Sequence, residues 1–142
     1  MFGIFGKRRE QELDLETRFI KDEISRSKRF GFKFSVLAVE VSHAVPRGLS
    51  KIMPGKTLSF HVLERNLRLY DKVIGTRQQQ RRYYIVLPQT DKDGLDVVIQ
   101  RIHEIAKERG WGNVLIGAAV YPEDGEKPKA LLDKAISNLD DD

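Results

Sequence analysis

The run of eight residues 34–41 most constrains what this chain can fold into. Six of the eight are apolar, and only Ser35 and Glu40 interrupt them. A strand with one face in water alternates apolar and polar residues, whereas a nearly continuous apolar strand is buried on both faces. The run therefore predicts a strand that other parts of the chain cover on both sides.

Helical and strand patterns alternate around this strand. Apolar residues recur every three or four positions in the helical segments. After a first helix the order is β-α-β-β-α-β, the split ferredoxin-like or palm-type arrangement. It predicts an α/β (α+β) fold with a mostly antiparallel sheet flanked by helices. The predicted elements are a helix over 10–29, a strand over 33–41 with the apolar run as its interior, a helix over 57–70, strands over 72–76 and 82–87, a helix over 91–109, a strand over 113–121 and a helix over 129–139.

Length and composition predict one domain over 10–139, with a flexible basic N-terminus over 1–9 and an acidic tail over 140–142. The absence of cysteine excludes a disulfide framework and is compatible with a cytoplasmic location, which we expect. A net charge of +4 is too small to indicate a nucleic-acid partner, and we expect none. Phe2, Ile4 and Phe5 precede a basic cluster. This end is interpreted as a frayed terminus, with a weak membrane contact as the alternative.

Signatures of familiar catalytic chemistry are missing from the sequence. His43, His61 and His103 have no metal-ligand spacing. No phosphate-binding glycine loop and no nucleophile–histidine constellation occurs. Trp111, between two glycines, is interpreted as a packing residue.

Four segments, in this order and spacing, resemble the GGDEF (diguanylate cyclase) family. Residues 23–31 read Glu-Ile-Ser-Arg-Ser-Lys-Arg-Phe-Gly, and residues 68–71 read Arg-Leu-Tyr-Asp. Residues 86–91 read Val-Leu-Pro-Gln-Thr-Asp, and residues 117–125 read Gly-Ala-Ala-Val-Tyr-Pro-Glu-Asp-Gly. The resemblance extends over about residues 13–139. It implies a palm-type fold and a bacterial signalling role connected with cyclic di-GMP.

The resemblance breaks down at the catalytic residues. In that family two carboxylates hold Mg²⁺ against GTP, one from the first core strand and one from a Gly-Gly-Asp/Glu-Glu-Phe hairpin. Glu40 has the position of the strand carboxylate and is interpreted as a remnant. The hairpin signature is replaced, and its glycines and acids are absent, so the close backbone approach and the hard oxygen ligands are both lost. Counted back from residues 86–88, the replacing residues are Gln79, Gln80, Arg81, Arg82 and Tyr83. Counted forward from Asp71, the signature would lie two residues earlier, and neither count contains a glycine or an acid.

Further family elements are also missing. The base-binding elements have no counterpart between residues 42 and 57, and the distal lysine is absent from residues 137–139. A guanidinium in the hairpin would repel Mg²⁺. We therefore expect no metal, no cofactor and no catalytic residue.

Arg68 and Asp71 match the RxxD motif, which in the family is an inhibitory site that binds cyclic di-GMP. Arginine offers a planar fork to phosphate or guanine, and aspartate accepts from guanine N–H groups. The alternative is that the two side chains pair with each other at a helix end. The polar tip is a second candidate surface, with a solvated loop as its alternative. That tip consists of Arg77, Gln79, Gln80, Arg81 and Arg82.

These observations predict a noncatalytic signalling domain that acts through a protein partner and lacks diguanylate cyclase activity. One alternative is a cyclic di-GMP receptor that binds through Arg68 and Asp71. Another is a regulatory module that retains GTP binding. A homodimer is a further expectation, because cyclases of this family work as dimers and the first helix resembles their connector.

Overall fold

The computed structural model describes residues 14–41, 58–75 and 81–139, and these form the predicted order of elements. The helices are α1 (Leu15–Phe30), α2 (Leu58–Asn66), α3 (Lys92–Arg109) and α4 (Pro128–Ser137). The strands are β1 (Phe34–Val41), β2 (Lys72–Gly75), β3 (Arg82–Leu87) and β4 (Val114–Tyr121). None of the helices in these ranges combines the length and apolarity that a bilayer crossing requires.

The four strands form one antiparallel sheet in the order β2-β3-β1-β4. β1 lies between β3 and β4, and its apolar residues are buried. This confirms the expected strand covered on both faces and the mostly antiparallel sheet flanked by helices. The register places Ser35 opposite Leu87 and Glu40 opposite Arg82.

Each face of the sheet has its own apolar core. Leu37 and Val39 point to one face, where they join buried residues of α2 and α3. Val36 and Ala38 point to the other, where they join buried residues of α1 and α4. Trp111 is buried in the first core, as the packing interpretation predicted. Burying these apolar side chains stabilises the fold by about 25 cal/mol per Å² removed from water.

Gly117 lies where α4 approaches β4 most closely. A Cβ atom at this position would lie 1.9 Å from the backbone oxygen of Ala135 and 2.6 Å from the backbone nitrogen of Leu139. Only a residue without a side chain therefore permits the contact between the end of α4 and the sheet.

The largest differences from the predicted helix boundaries are at the ends of α2 and α4, and the other helix ends that the structure describes, apart from the start of α1, agree to within one residue. α2 ends at Asn66 rather than residue 70, because the Asp71 carboxylate accepts a hydrogen bond from the backbone N–H of Arg68 at 3.0 Å. That bond replaces the i→i−4 bond which would continue the helix. α4 begins at Pro128 rather than residue 129, which fits the preference of proline for the first helical turn. It ends at Ser137, two residues before the predicted end. α1 begins at Leu15 with Asp14 as its N-cap, and residues 10–13 of the predicted helix lie outside the described residues.

α1 buries a carboxylate that the sequence pattern did not reveal. Glu23 is almost fully buried and accepts a 2.9 Å hydrogen bond from Arg26 through Oε1, whereas its Oε2 has no partner within the described ranges. Burial raises the pKa of Glu23, and the nearby Arg26 charge only partly offsets this.

Candidate functional site

The candidate residues lie at opposite ends of the sheet. Glu40 faces Arg82 where β3 begins, whereas Asp71 immediately precedes β2, whose first residue pairs near the end of β3. The five residue steps along β3 from Arg82 to Leu87 span about 17 Å. The Glu40 position and the RxxD position are therefore two separate sites.

Glu40 and Arg82 form an ion pair across neighbouring strands. The Arg82 Nε donates to Glu40 Oε1 at 2.8 Å, and its Nη2 donates to the same oxygen. Both side chains are mostly buried. Burial opposes the charged form of Arg82, but its hydrogen bonds to Tyr84 and Glu40 outweigh this and raise the pKa of the guanidinium. Glu40, interpreted from the sequence as a remnant of the metal site, is thus paired with Arg82 of the neighbouring strand.

This pair is a poor match to the magnesium site that the resemblance implies. Mg²⁺ needs several hard oxygen ligands in octahedral geometry. Glu40 offers a single carboxylate, and a guanidinium already binds one of its oxygens. No cluster of three or more metal-ligating side chains occurs in the described part of the chain. The residues present do not fit the metal.

We expect the Glu40–Arg82 pair to stabilise the fold measurably. In a double-mutant cycle with Glu40→Gln and Arg82→Gln, the coupling energy should be about 1 kcal/mol, because both groups are partly desolvated and fixed by strand register. Urea denaturation of the four proteins measures it. The matched control is the exposed pair Lys33–Glu123, whose coupling should be clearly smaller because solvent screens it. Equal coupling in the two cycles would contradict the expectation.

Arg68 and Asp71 bind each other. The Arg68 Nε donates to Oδ2 of Asp71 at 3.1 Å, and Nη2 donates to Oδ1 at 3.0 Å. The Asp71 side chain is 1% exposed, and that of Arg68 is 40% exposed. The sequence left open whether the two side chains bind cyclic di-GMP or pair with each other, and in the structure they pair with each other. The pair lies in a turn after α2, not on the helix end that the sequence predicted.

Arg68 also links this turn to the segment between β3 and α3. Its Nη2 donates to Thr90 Oγ1 at 2.6 Å and to the Pro88 carbonyl at 3.2 Å. The Thr90 hydroxyl donates to the Pro88 carbonyl, and the Ser35 hydroxyl donates to the Thr90 carbonyl at 2.7 Å. The hydrogen bond to Asp71 and the charge of that carboxylate raise the pKa of Arg68. Arg68 therefore has a structural role in addition to any binding role.

The polar tip is only partly described. Arg81 is exposed, while Arg82 is the first residue of β3 and is engaged by Glu40. Arg77, Gln79 and Gln80 lie outside the described residues. A docking role for the tip therefore stays a prediction.

Sequence reasoning missed the two residues between Arg68 and Asp71. Leu69 is 98% exposed and Tyr70 is 53% exposed, and the Arg68 guanidinium lies 4.6 Å from the centre of the Tyr70 ring. The apolar pattern assigned this segment to a helix, which gave no reason to expect outward-facing side chains. The Arg-x-x-Asp spacing was the available signal for a turn.

The fold has clear counterparts among solved structures, although no protein-family model and no curated protein sequence matches the chain. A DGC protein from Thermotoga maritima has a TM-score of 0.67 at 15% identity, over 87% of this chain and 90% of that one. A sensory box/GGDEF family protein from Caulobacter crescentus has a TM-score of 0.58 at 13% identity, over 87% and 86%.

A third similar structure is the diguanylate cyclase SiaD in complex with its activator SiaC from Pseudomonas aeruginosa. Its TM-score is 0.54 at 16% identity, over 98% of this chain and 68% of that one. At these identities the likeness concerns the fold. The chain has a GGDEF-like fold, as its sequence segments predicted.

Proposed function

We propose that this chain is a noncatalytic regulatory domain that acts by binding a protein partner and lacks diguanylate cyclase activity. The observation that carries the proposal is the Glu40–Arg82 ion pair. In the reaction that the fold suggests, metal-bound carboxylates organise the attack of a ribose hydroxyl on phosphorus. Here a guanidinium, which stays protonated, engages the remaining carboxylate.

A role in protein binding has support from two sides. The solved complex of SiaD with its activator SiaC is a GGDEF-like fold in contact with a protein partner. In this chain the RxxD pair is internally engaged, and the turn that carries it exposes apolar side chains. Both observations favour a surface that contacts protein over a site that acts on GTP.

Cyclic di-GMP binding through Arg68 and Asp71 is the second candidate. The observation in its favour is that the Arg68 side chain remains 40% exposed beside the Tyr70 ring. The observation against it is that both Asp71 oxygens accept from Arg68, so a guanine would have to displace the internal pair. Residual GTP binding, the third candidate, depends partly on residues 42–57, which are outside the described residues.

Two measurements on the full-length chain test the proposal. Incubation with GTP and Mg²⁺ or Mn²⁺, followed by mass spectrometry, should yield no cyclic di-GMP, because the carboxylate that would bind the metal is held by Arg82. Isothermal titration with cyclic di-GMP and with GTP should give no binding heat. Turnover of GTP would refute the proposal.

The titration also separates the candidates. Cyclic di-GMP heat that disappears in Arg68→Ala, but persists in Arg29→Ala at another exposed arginine, would establish the receptor alternative. GTP heat without turnover would establish the residual GTP-binding alternative.

A further inference from the structure

The four residues from Arg68 to Asp71, here named the 68–71 turn, carry the most exposed apolar side chain in the described residues. We propose that this turn is a docking site for a protein partner that offers an apolar pocket rimmed by carboxylates. The inference rests on the proposed function, because it names the surface through which a noncatalytic domain would act. It assigns the contact to Leu69 and Tyr70 rather than to a nucleotide held by Arg68 and Asp71.

The apolar part of the site is the adjacent pair Leu69 and Tyr70. Single exposed apolar residues are ordinary on protein surfaces. Here a leucine with almost its whole side chain in solvent adjoins a half-exposed tyrosine on one tight turn. Tyrosine and arginine are enriched among the interface residues that dominate binding free energy, and Arg68 packs on the Tyr70 ring.

Hydrogen bonds hold the backbone of the turn in one conformation. The Asp71 N–H donates to the Arg68 carbonyl at 3.0 Å, and the Asp71 carboxylate accepts from the Arg68 backbone and side chain. Arg68 further binds Thr90 and the Pro88 carbonyl. The turn backbone is therefore already ordered before binding, so binding costs little of its conformational entropy, which favours affinity.

The charges around the turn indicate the chemistry of the partner. Arg65, Arg68 and Lys72 are exposed, and Arg101 donates to the backbone and side-chain oxygens of Asn66 at the end of α2. Glu64 is the one exposed acid from His61 to Lys72, because Asp71 is buried against Arg68. A local excess of positive charge is complementary to a carboxylate-rimmed pocket and would accelerate association with it.

A protein fits this surface better than a lipid bilayer does. A single myristoyl chain gives only marginal membrane binding, and two adjacent side chains bury less apolar area than such a chain. In a protein interface, by contrast, a few residues carry most of the binding free energy, and tyrosine and arginine are enriched among them.

The proposal can be tested with a random peptide library displayed on phage and selected on the full-length chain. Enriched peptides should combine apolar residues with aspartate or glutamate. Their affinity should fall at least about tenfold for Leu69→Ser and for Tyr70→Ser. Val97→Ser is the matched control: Val97 is 69% exposed on α3, and its replacement should leave the affinity unchanged.

Three outcomes would overturn the docking site. In the first, no peptides are enriched. In the second, the enriched peptides bind Leu69→Ser as tightly as the unchanged chain. In the third, the chain binds phosphatidylserine-containing vesicles and Leu69→Ser abolishes that binding. Thermal melting by circular dichroism checks that the variants fold, as expected for exposed positions. The GTP turnover assay is independent of this selection. A noncatalytic chain without peptide binding would therefore contradict the docking site alone, whereas turnover of GTP would contradict the proposed function.

Discussion

Gly117→Ala should lower the free energy of unfolding by more than about 3 kcal/mol, or prevent folding at room temperature. The added Cβ would meet backbone atoms of Ala135, Asn138 and Leu139, at 1.9 Å for the nearest. Backbone atoms cannot rotate away as a flexible side chain can, so the end of α4 would have to separate from β4. Urea denaturation followed by circular dichroism measures the loss.

Gly110→Ala is the matched control for this prediction. Gly110 has φ +66° and ends α3, but a Cβ there would meet nothing within 4 Å. Only the backbone strain of a left-handed alanine remains, about 1–2 kcal/mol. If Gly117→Ala were no more destabilising than Gly110→Ala, the close approach of α4 to β4 would be wrong.

Asp71→Ala is expected to cost about 2–3 kcal/mol of folding free energy. The change leaves the Arg68 backbone N–H and guanidinium without their carboxylate acceptor. Removing one partner of a buried ion pair costs about 3–5 kcal/mol of folding free energy. The cost expected here is at or below the lower end of that range, because the Arg68 side chain is partly exposed and water can solvate it. Urea denaturation again measures the loss.

The control for Asp71→Ala is Asp91→Ala, at an exposed aspartate that caps α3 through the N–H groups of Asp93 and Gly94. Loss of such a cap costs about 1 kcal/mol. A cost for Asp71→Ala no larger than this would show that the 68–71 turn does not depend on its ion pair, and would remove the rigidity on which the docking site depends.

The sequence predicted the sheet more accurately than the helix ends. β3 has the predicted bounds, and β1 begins one residue later than predicted, at Phe34 rather than Lys33. The agreement is close because a buried strand is visible in the sequence as a nearly continuous apolar run. The predicted end of α2 was wrong. The apolar spacing continues through Leu67 and Tyr70, but the Asp71 carboxylate accepts the hydrogen bond of the Arg68 backbone N–H and the helix ends at Asn66. A side-chain acceptor here competes with a backbone carbonyl for the same N–H group, and the spacing of apolar residues does not indicate which of the two hydrogen bonds forms.

For the candidate sites, too, the sequence predicted local features but not contacts between distant segments. The sequence indicated that the hairpin acids were gone and that Arg68 and Asp71 could pair. It did not indicate that Arg82 would face Glu40, since that depends on a strand register across 42 residues of chain. Thr90 was missed for a similar reason: its contact with Arg68 joins segments 22 residues apart.

The separation of the two sites along β3 has a consequence for how this domain can change. Substitutions farther apart than about 7–10 Å and without shared partners contribute additively to stability. The end of the sheet that carries Glu40 and Arg82 can therefore accumulate substitutions without disturbing the 68–71 turn. The same independence lets each end be redesigned alone: a metal site could be designed at Glu40, or the turn altered to bind a chosen partner, while the sheet between them stays unchanged.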